Sequence, residues 1–384
     1  MQFSNVNIIG KEGVKSIVVE NGLIRTIVDQ RLASAGQNAE CIDLAGALAF
    51  PGLINSHDHL DFNLFARTGN RIYNSYVEWG ADIQSRNKNS IDAVLNIPKQ
   101  LRVEWGIYKN LVNGVTTVIN HGEHLEIQNP LINVFQDCYS LHSVALEKAW
   151  RFKLNRPFAR DQPFVIHVGE GTDASSYEEI DKLIRWNLFK RKMIAVHGVS
   201  MDSRQARAFE ALIWCPDSNF FLLNSTSKLN ELKKVTKILF GTDSTVSAGW
   251  NLWEHLRLAR NTNMLSDQEI FNSVTSLPAS VWGLQDRGAL VEGKSADIVV
   301  AKRNDNSHLL DNFFQLNPED ILLVLNKGEI VLFDENLRAQ LDSSLNIQGF
   351  SKIKIGPKYV KGRLDDLIRK IKDSAPGIEL PFNE

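Results

Sequence analysis

The stretch "AFPGLINSHDHLDF", residues 49–62, places His57 and His59 on alternate positions where an apolar run ends. In a β-strand, residues i and i+2 point to the same face of the sheet, so the two imidazoles would converge on one point. Converging imidazoles are a good beginning for a metal site. Two ligands do not hold a metal ion by themselves, so the rest of the chain must supply the others.

Other apolar runs also end in residues that can bind a metal or move a proton. They are His121 and His124 after "VTTVIN", His167 in "PFVIHVGEG", His197 in "MIAVHGVS" and Asp243 in "ILFGTDS". Six of the nine histidines therefore lie at or just beyond the ends of predicted strands. Each one alone is more often a structural histidine satisfied by a backbone group. Together they offer three imidazoles and a carboxylate, a set that suits one Zn²⁺, with Fe²⁺ as the alternative, and leaves a position for water.

These residues need a scaffold that brings strand ends together. Between residues 51 and 284, short apolar runs alternate with longer amphipathic stretches, such as "YEEIDKLIRWNLFKR" with Ile180, Leu183, Ile184 and Leu188 at helical spacing. Ser266 and Glu269 stand in capping-box positions before another helix. This alternation predicts a parallel α/β fold, and at this length a (β/α)₈ TIM barrel whose active residues lie at the carboxyl ends of the strands. The segment between His124 and His167 is short for two βα units, so the barrel is expected to be distorted or abbreviated there.

Both ends of the chain read as β-structure. Asn21-Gly22 and Lys327-Gly328 are hairpin signals between β-branched runs. We expect residues 1–50 and 285–345 to form one small composite β-sandwich beside the barrel of residues 51–284. Residues 346–384 are expected to be a helical extension that packs on the body through Leu364, Leu367, Ile368 and Ile371.

Composition limits the classes of function. The 384 residues are 43% hydrophobic and 23% charged, with a net charge of −2, so no basic stripe predicts nucleic acid as a partner. No apolar run is long enough to cross a bilayer, and the start lacks a secretory signal, so a membrane is not an expected partner. Cys41, Cys138 and Cys215 are far apart in the sequence, and their spacing does not indicate a disulfide framework. This fits a reducing compartment. A cytoplasmic protein is the expectation.

The motifs "PGLINSHDH", "GVTTV", "HVGE", "HG", "WCPDSN", "GTDS" and "GALVEGKSADIVV" stand in one order along almost the whole chain. In this order the sequence resembles the amidohydrolase superfamily, in particular its single-metal group of cytosine, guanine and adenosine-type deaminases and triazine hydrolases. The resemblance implies a barrel with a split β-sandwich. It also implies metal ligands at His57, His59, His167 and Asp243.

The resemblance further implies catalytic roles. Asp243 would accept the proton of a metal-activated water. Glu170, three residues after His167, would pass a proton to a ring nitrogen of the substrate and then to the leaving amine. His197 would hydrogen-bond the attacking water or the developing oxyanion. Binuclear members use a carboxylated lysine at the fourth strand, and the only candidate, Lys148 in "SLHSVALEKAW", is poorly placed, so one metal is expected.

Substrate contacts are less well defined. The segment after the first strand is rich in aromatics and arginine, and Arg67 is our preferred substrate contact there; Asn219 is another candidate. His121 and His124 either touch substrate or hydrogen-bond within the loops. Cys215 is expected to be a small core residue, because no base is placed to activate it.

The sequence thus predicts a hydrolase of non-peptide carbon–nitrogen bonds, most simply an aminohydrolase acting on a small cyclic amidine or nucleobase-like ring. Ring opening of a cyclic amide, as in imidazolonepropionase-like members, is the alternative within the same fold. A catalytically silent relative that binds a ligand is the alternative from another class, and loss of the ligand set would favour it. The expected partner is a small molecule, and the chain is expected to form a homodimer.

Overall fold

The computed structural model describes residues 1–30, 41–157, 162–304, 307–341 and 346–380. These residues form three β-sheets and the helices that connect and cover their strands. In chain order the strands are β1 (Gln2–Ile8), β2 (Val14–Glu20), β3 (Leu23–Asp29), β4 (Cys41–Pro51), β5 (Leu53–Asp58), β6 (Val115–Asn120), β7 (Asn133–Phe135), β8 (Tyr139–Ser143), β9 (Phe164–Val168), β10 (Met193–His197), β11 (Ala211–Trp214), β12 (Lys237–Phe240), β13 (Ile298–Ala301), β14 (Ile321–Asn326), β15 (Glu329–Asp334), β16 (Phe350–Ile353) and β17 (Lys358–Lys361).

The helices are, in the same order, α1 (Tyr76–Arg86), α2 (Lys88–Leu95), α3 (Lys99–Val112), α4 (Trp150–Leu154), α5 (Ala174–Trp186), α6 (Ser203–Ala206), α7 (Pro216–Leu223), α8 (Leu229–Leu232), α9 (Leu252–Asn261), α10 (Asp267–Ser273), α11 (Ser276–Val281), α12 (Leu309–Gln315), α13 (Arg338–Leu341) and α14 (Leu364–Ser374). Single 3₁₀ turns cover Leu60–Phe62, Pro318–Asp320, Glu335–Leu337 and Ile347–Gly349. Within the described ranges, no helix combines the length and the apolar character needed to cross a membrane.

The middle of the chain carries eight strands that pair only in parallel. β5, β6 and β7 form one sheet, and β8 to β12 form another in sequence order. Because both faces of these strands are covered, they are short, continuous apolar runs, as the sequence predicted. The two sheets meet at the ends of β5 and β12, where the backbone N–H groups of Thr242 and Asp243 donate to the carbonyl of His57 over 3.2 and 3.1 Å.

The middle of the parallel region is abbreviated, as the short segment between His124 and His167 indicated. β6, β7 and β8 follow one another with no helix between them, and the five-residue α4 stands between β8 and β9. Strand pairing is present between β6 and β7 and between β8 and β9, whereas the described residues show none between β7 and β8. Two of the expected covering helices are therefore missing at this side.

The two chain ends share one nine-stranded sheet of order β16-β17-β15-β14-β13-β4-β1-β2-β3. Both predicted hairpins are present in it. Asn21 and Gly22 have φ of 52° and 78°, and Lys327 and Gly328 have 51° and 76°, values that suit a two-residue turn matching the twist of the strands. The two turns also contact each other, since a Cβ on Gly22 would lie 2.8 Å from the carbonyl oxygen of Lys327.

Two expectations about the elements were wrong. Residues 346–384 are not purely helical, because β16 and β17 extend the sheet before α14 begins; their alternating pattern is only four residues long in each strand and was too short to detect. Helix α5 ends at Trp186, so Leu188 lies beyond it and is exposed rather than on its apolar face. The capping box of Ser266 and Glu269 and the buried face of α14 are as predicted.

Candidate active site

Three imidazoles converge at the carboxyl ends of β5 and β9. The Nε2 atom of His167 lies 3.2 Å from Nε2 of His57 and 3.4 Å from Nε2 of His59. In a tetrahedral zinc site with Zn–N bonds of about 2.1 Å, two ligand nitrogens are separated by about 3.4 Å. The nitrogens of this cluster therefore already have the spacing that one bound cation imposes, and the donor set of the residues present fits a divalent metal.

The orientation of His167 supports the same conclusion. Its Nδ1 faces the carbonyl oxygen of His142 at 2.8 Å, and a carbonyl can only accept, so Nδ1 carries the proton. In the neutral ring Nε2 is then left with a free lone pair directed at His57 and His59. A backbone acceptor that fixes the tautomer in this way is the usual support of a metal-binding histidine.

The protein holds these rings neutral. Burial lowers the pKa of His57 and His167 well below the usual value, and the neighbouring histidines lower each further. A neutral imidazole can donate its lone pair to a cation without first losing a proton. His59 is the most open of the three, with 17% of its side chain exposed against 1% for His57. A small molecule would therefore reach the cluster from the side of His59.

Asp243 brings a carboxylate to the cluster. Its Oδ1 lies 3.8 Å from Nε2 of both His57 and His59, while its Oδ2 accepts hydrogen bonds from the hydroxyls of Ser218 and Ser247 over 2.8 and 2.9 Å. Burial alone would raise the pKa of Asp243, but His197, His59 and the donors Ser244 and Ser218 outweigh it and lower the pKa. Its Oδ1 also accepts from the backbone N–H of Ser244 over 2.8 Å. A carboxylate oxygen has two lone pairs, so Oδ1 keeps one with which to face a cation.

Glu170 and His197 form a second pair beside the clustered histidines. His197 Nε2 lies 3.5 Å from Oε2 of Glu170, and its Nδ1 hydrogen-bonds Oδ1 of Asn219 at 2.8 Å. Because Asn219 accepts at Nδ1, the neutral ring presents Nε2 as an acceptor. Burial raises the pKa of Glu170 well above its usual value, and the charges of Asp243 and Glu179 raise it further, so its carboxyl group is protonated where Asp243 is ionised.

The backbone is strained at two of these positions. His197 has φ of 70° and Asp243 has φ of 58°, in the left-handed region that costs a residue with a Cβ about 1–2 kcal/mol. Such strain persists only where the surroundings fix the conformation, and it clusters at functional sites.

Gly241, which follows β12, is required because of limited space. A Cβ there would lie 2.7 Å from Cβ of His57, so only glycine allows the end of β12 to lie this close to β5.

A buried polar network lies behind the ligands. Nζ of Lys109, on α3, contacts Oδ2 of Asp58 at 3.0 Å, Oγ1 of Thr242 at 3.1 Å and the carbonyl oxygen of Asp243 at 3.4 Å. The Nδ2 atoms of Asn110 and Asn63 donate to the two oxygens of Asp58 over 2.7 and 2.8 Å. Helix α3 is thereby joined to the ends of both β5 and β12. The network holds the segment containing His57 and His59 against the segment containing Asp243.

The predicted substrate residues lie in different places. Arg67 pairs with Asp217 and stacks over Phe221, 5.0 Å from its ring centroid, and it lines a cavity of about 1130 Å³ whose lining contains none of the clustered histidines. Asn219 is committed to His197. His124 is exposed in the loop after β6, whereas His121 is buried against the cluster.

The two side chains considered for other chemistry are placed as expected. Lys148 is exposed and lies outside β8, which makes it no bridging ligand. Cys215 is fully buried, and burial raises the pKa of its thiol well above the usual value, so it is a core residue.

Some residues of the site were not singled out from the sequence. His142 ends β8, and its ring centroid lies 5.3 Å from that of His167; its position at a strand end was the signal that could have found it. Ser218 and Ser247 on Asp243, and Lys109 behind it, act through contacts between distant segments. Nothing in the local pattern around these three residues marks them.

Comparisons with known proteins agree with this geometry. The model of the amidohydrolase family matches residues 158–331. A 5-methylthioadenosine/S-adenosylhomocysteine deaminase of Caldicellulosiruptor saccharolyticus is 25% identical, over 84% of this chain and 89% of its own. Among solved structures, an adenosine deaminase from Xanthomonas campestris with bound zinc has a TM-score of 0.70 at 16% identity, covering 89% of this chain and 97% of its own.

The structure of an atrazine chlorohydrolase from Arthrobacter aurescens in complex with zinc is also similar, with a TM-score of 0.69 at 15% identity, covering 98% of this chain and all of its own. The family match over residues 158–331 and the relatives along most of the chain support the amidohydrolase superfamily and an enzyme that hydrolyses carbon–nitrogen bonds. The solved structures show that the fold is shared.

Proposed function

We propose that this enzyme is a metal-dependent aminohydrolase that releases ammonia from an amino-substituted nitrogen heterocycle. One observation carries the proposal: two buried carboxyl groups lie at one histidine cluster, Asp243 with Oδ1 3.8 Å from Nε2 of His57 and His59, and Glu170 with Oε2 3.5 Å from Nε2 of His197. Burial raises the pKa of Glu170, whereas His197 and His59 help to lower the pKa of Asp243. A protonated acid and an ionised base side by side are what an addition–elimination of water and amine requires.

His57, His59, His167 and Asp243 would hold the cation. When bound, the cation would lower the pKa of a water molecule and so make hydroxide available at neutral pH. Oδ1 of Asp243 would accept a proton from the water, because it faces the histidines and accepts one hydrogen bond, from Ser244, whereas Oδ2 accepts two, from Ser218 and Ser247. Glu170 would donate its proton to the ring nitrogen, which makes the ring carbon electrophilic. Ionised Glu170 would then take the proton of the hydroxyl group added to that carbon and pass it to the leaving amine as the C–N bond breaks, and the proton held by Asp243 would return to Glu170. His197, held by Asn219, accepts a hydrogen bond from the water through Nε2.

The substrate class is supported by the relatives. The Caldicellulosiruptor relative and a Methanococcus aeolicus relative are named as deaminases of adenine nucleosides. We therefore propose a purine or purine-nucleoside amine as the first substrate class to test. Zinc is the first metal to test, since zinc is bound in the two similar structures above.

The test is ammonia release by zinc-loaded protein over a set of adenine nucleosides, guanine, cytosine and triazine amines. Glu170→Gln should lower turnover by at least about 10²-fold, within the range of general acid–base catalysis. Glu178→Gln, on the exposed face of α5, is the matched control and should keep full activity. A product with a new carboxylate and no ammonia would instead establish cyclic amide ring opening, and full activity of Glu170→Gln would reject the proton-transfer role.

The larger architecture is part of the proposal. We propose that β5 to β12 form a (β/α)₈ barrel distorted between β7 and β8, and that residues 1–50 and 285–345 form a β-sandwich domain beside it. The hydrogen bonds between β12 and β5 and the likeness to the solved structures support this assignment. We further propose a homodimer in a reducing, cytoplasmic compartment, to which the three free cysteines are suited. Sedimentation analysis of the full chain tests the dimer.

A further inference from the structure

His121 has a chemical environment that no role assigned so far explains. Its side chain lies at the end of β6 and is 3% exposed, and neither ring nitrogen makes a well-formed hydrogen bond, the backbone of Leu141 offering a weak one only. A buried polar group without a partner costs about 1–3 kcal/mol. The neighbouring His167 and His197 each commit Nδ1 to a protein acceptor, and His57 leaves only its Nδ1 without one, whereas both ring nitrogens of His121 lack a close partner.

The position of the ring is that of a ligand. The ring centroids of His57, His59 and His167 lie 4.9 to 5.3 Å from one another. The His121 centroid lies 5.0, 5.3 and 4.4 Å from the same three rings. Ring nitrogens of His57, His121 and His167 all lie within 4.8 Å of one another. His121 thus packs around the cluster at the same spacing as the three imidazoles that converge there.

The backbone fixes this position. The N–H of His121 donates to the carbonyl of Asp58 over 2.9 Å, and Asp58 is the residue between His57 and His59. The β6 end is therefore tied directly to the ligand-bearing end of β5.

We propose that His121 is a fifth protein ligand of the cation, which would then be held by four imidazoles and the carboxylate of Asp243. This inference rests on the metal site of the proposed function and deepens it. Five protein donors leave one position of a six-coordinate cation for water or substrate. Such a nitrogen-rich, six-coordinate site suits Fe²⁺, Co²⁺ or Ni²⁺ as well as zinc.

The test is titration of metal-free full-length protein with Co²⁺, followed by its visible absorption. Four-coordinate Co²⁺ absorbs severalfold more strongly than five- or six-coordinate Co²⁺, so the wild-type band should be weak. His121→Phe keeps a buried ring without nitrogens and lowers the coordination number by one, so its band should be stronger than the wild-type band and its Kd for Co²⁺ at least about tenfold higher. His124→Phe, three residues away and exposed, should match the wild type.

X-ray absorption at the cobalt edge gives a second readout, with one nitrogen fewer expected in His121→Phe. His121→Asn serves if the phenylalanine variant does not fold. A wild-type band as strong as that of the variant, with Kd values for Co²⁺ within twofold of each other, overturns the proposal. This holds even if KM for substrate rises in the variant, because such a rise alone would indicate a substrate contact. If the wild type binds no stoichiometric Co²⁺, and Asp243→Asn leaves Co²⁺ binding unchanged, the metal site of the proposed function is also rejected. Failure of the His121 proposal is thereby distinguished from failure of the metal site itself.

Discussion

The ammonium group of Lys109 lies 3.0 Å from a carboxylate oxygen of Asp58, and the two side chains are 2% and 0% exposed. The pair lies behind the ligands, with Asp58 between His57 and His59 in sequence. Through Lys109 the same pair reaches Thr242 and the backbone of Asp243. One fully buried ion pair thus connects the two segments that must approach each other for a cation to bind.

Lys109→Met should destabilise the protein by about 3–5 kcal/mol, because it leaves Asp58 as a buried charge without a partner. The double variant Lys109→Met/Asp58→Asn removes both charges and should recover most of this loss. Urea unfolding of the metal-free proteins measures both values. Equal stability of the single and double variants would contradict the assignment, and Lys88→Met, in an exposed pair with Asp92, is the control with little expected effect.

Glu170→Gln should raise the free energy of unfolding at neutral pH while it abolishes activity. The folded-state pKa of Glu170 is raised by burial, so the folded protein keeps a proton that the unfolded chain releases above about pH 4.3. Stability is therefore lost as the pH rises from the unfolded pKa toward the folded one. Glutamine removes this dependence, so the advantage of the metal-free variant over wild type should be larger at pH 8 than at pH 5. Parallel stability curves for the two proteins would argue against a raised pKa.

The His197→Gly variant should be at least as stable as the His197→Ala variant. Both substitutions remove the imidazole, but only glycine relieves the positive φ of 70°. Elsewhere glycine is the less stable of the two, by roughly 0.5–1 kcal/mol in a helix or strand interior. His57, whose φ is not positive, provides the matched pair, and there the usual order should hold. Thermal unfolding of the four variants tests this, and the usual order at His197 would rule out the strain.

Gly241→Ala should weaken metal binding by about tenfold, comparable to other changes that move a ligand. The added methyl group would lie 2.7 Å from Cβ of His57 and 2.9 Å from Cγ2 of Ile213, so β5 and β12 must separate. Overpacking of this kind also costs about 1–3 kcal/mol of stability. Gly80→Ala, in α1 with open space around its Cα, is the control, and Zn²⁺ competition titration is the measurement. An unchanged Kd in Gly241→Ala would show that the contact is tolerated.

The cluster of candidate site residues was predictable from the sequence because strand ends are local signals. His57, His59, His167, His197 and Asp243 each end or follow a short apolar run, and parallel strands bring such ends together. The same reasoning placed the two hairpins, because Asn-Gly and Lys-Gly satisfy the positive φ that the turns require.

The partners of these residues were not predictable, because they are set by contacts between distant segments. Arg67 was expected to bind substrate, yet it pairs with Asp217, 150 residues away along the chain. Asn219 was expected to do the same, yet it orients His197. Leu188 continues the helical periodicity of the sequence, although helix α5 ends at Trp186. A periodic pattern predicts an apolar face, but it does not predict where the helix ends or which distant residue a polar side chain contacts.

The central place of β4 in the nine-stranded sheet has a consequence for synthesis of the chain. β4 leads through Gly52 directly into β5, and it lies between β1 and β13. On a ribosome, its partner β13 emerges roughly 250 residues after β4, which at 5–20 residues per second takes about 10–50 s. For that interval the nascent protein carries an open strand edge directly before His57 and His59. Slower translation lengthens this interval and should lower the yield of native enzyme, and chain-terminating mutations before β13 should yield aggregates rather than a smaller active enzyme.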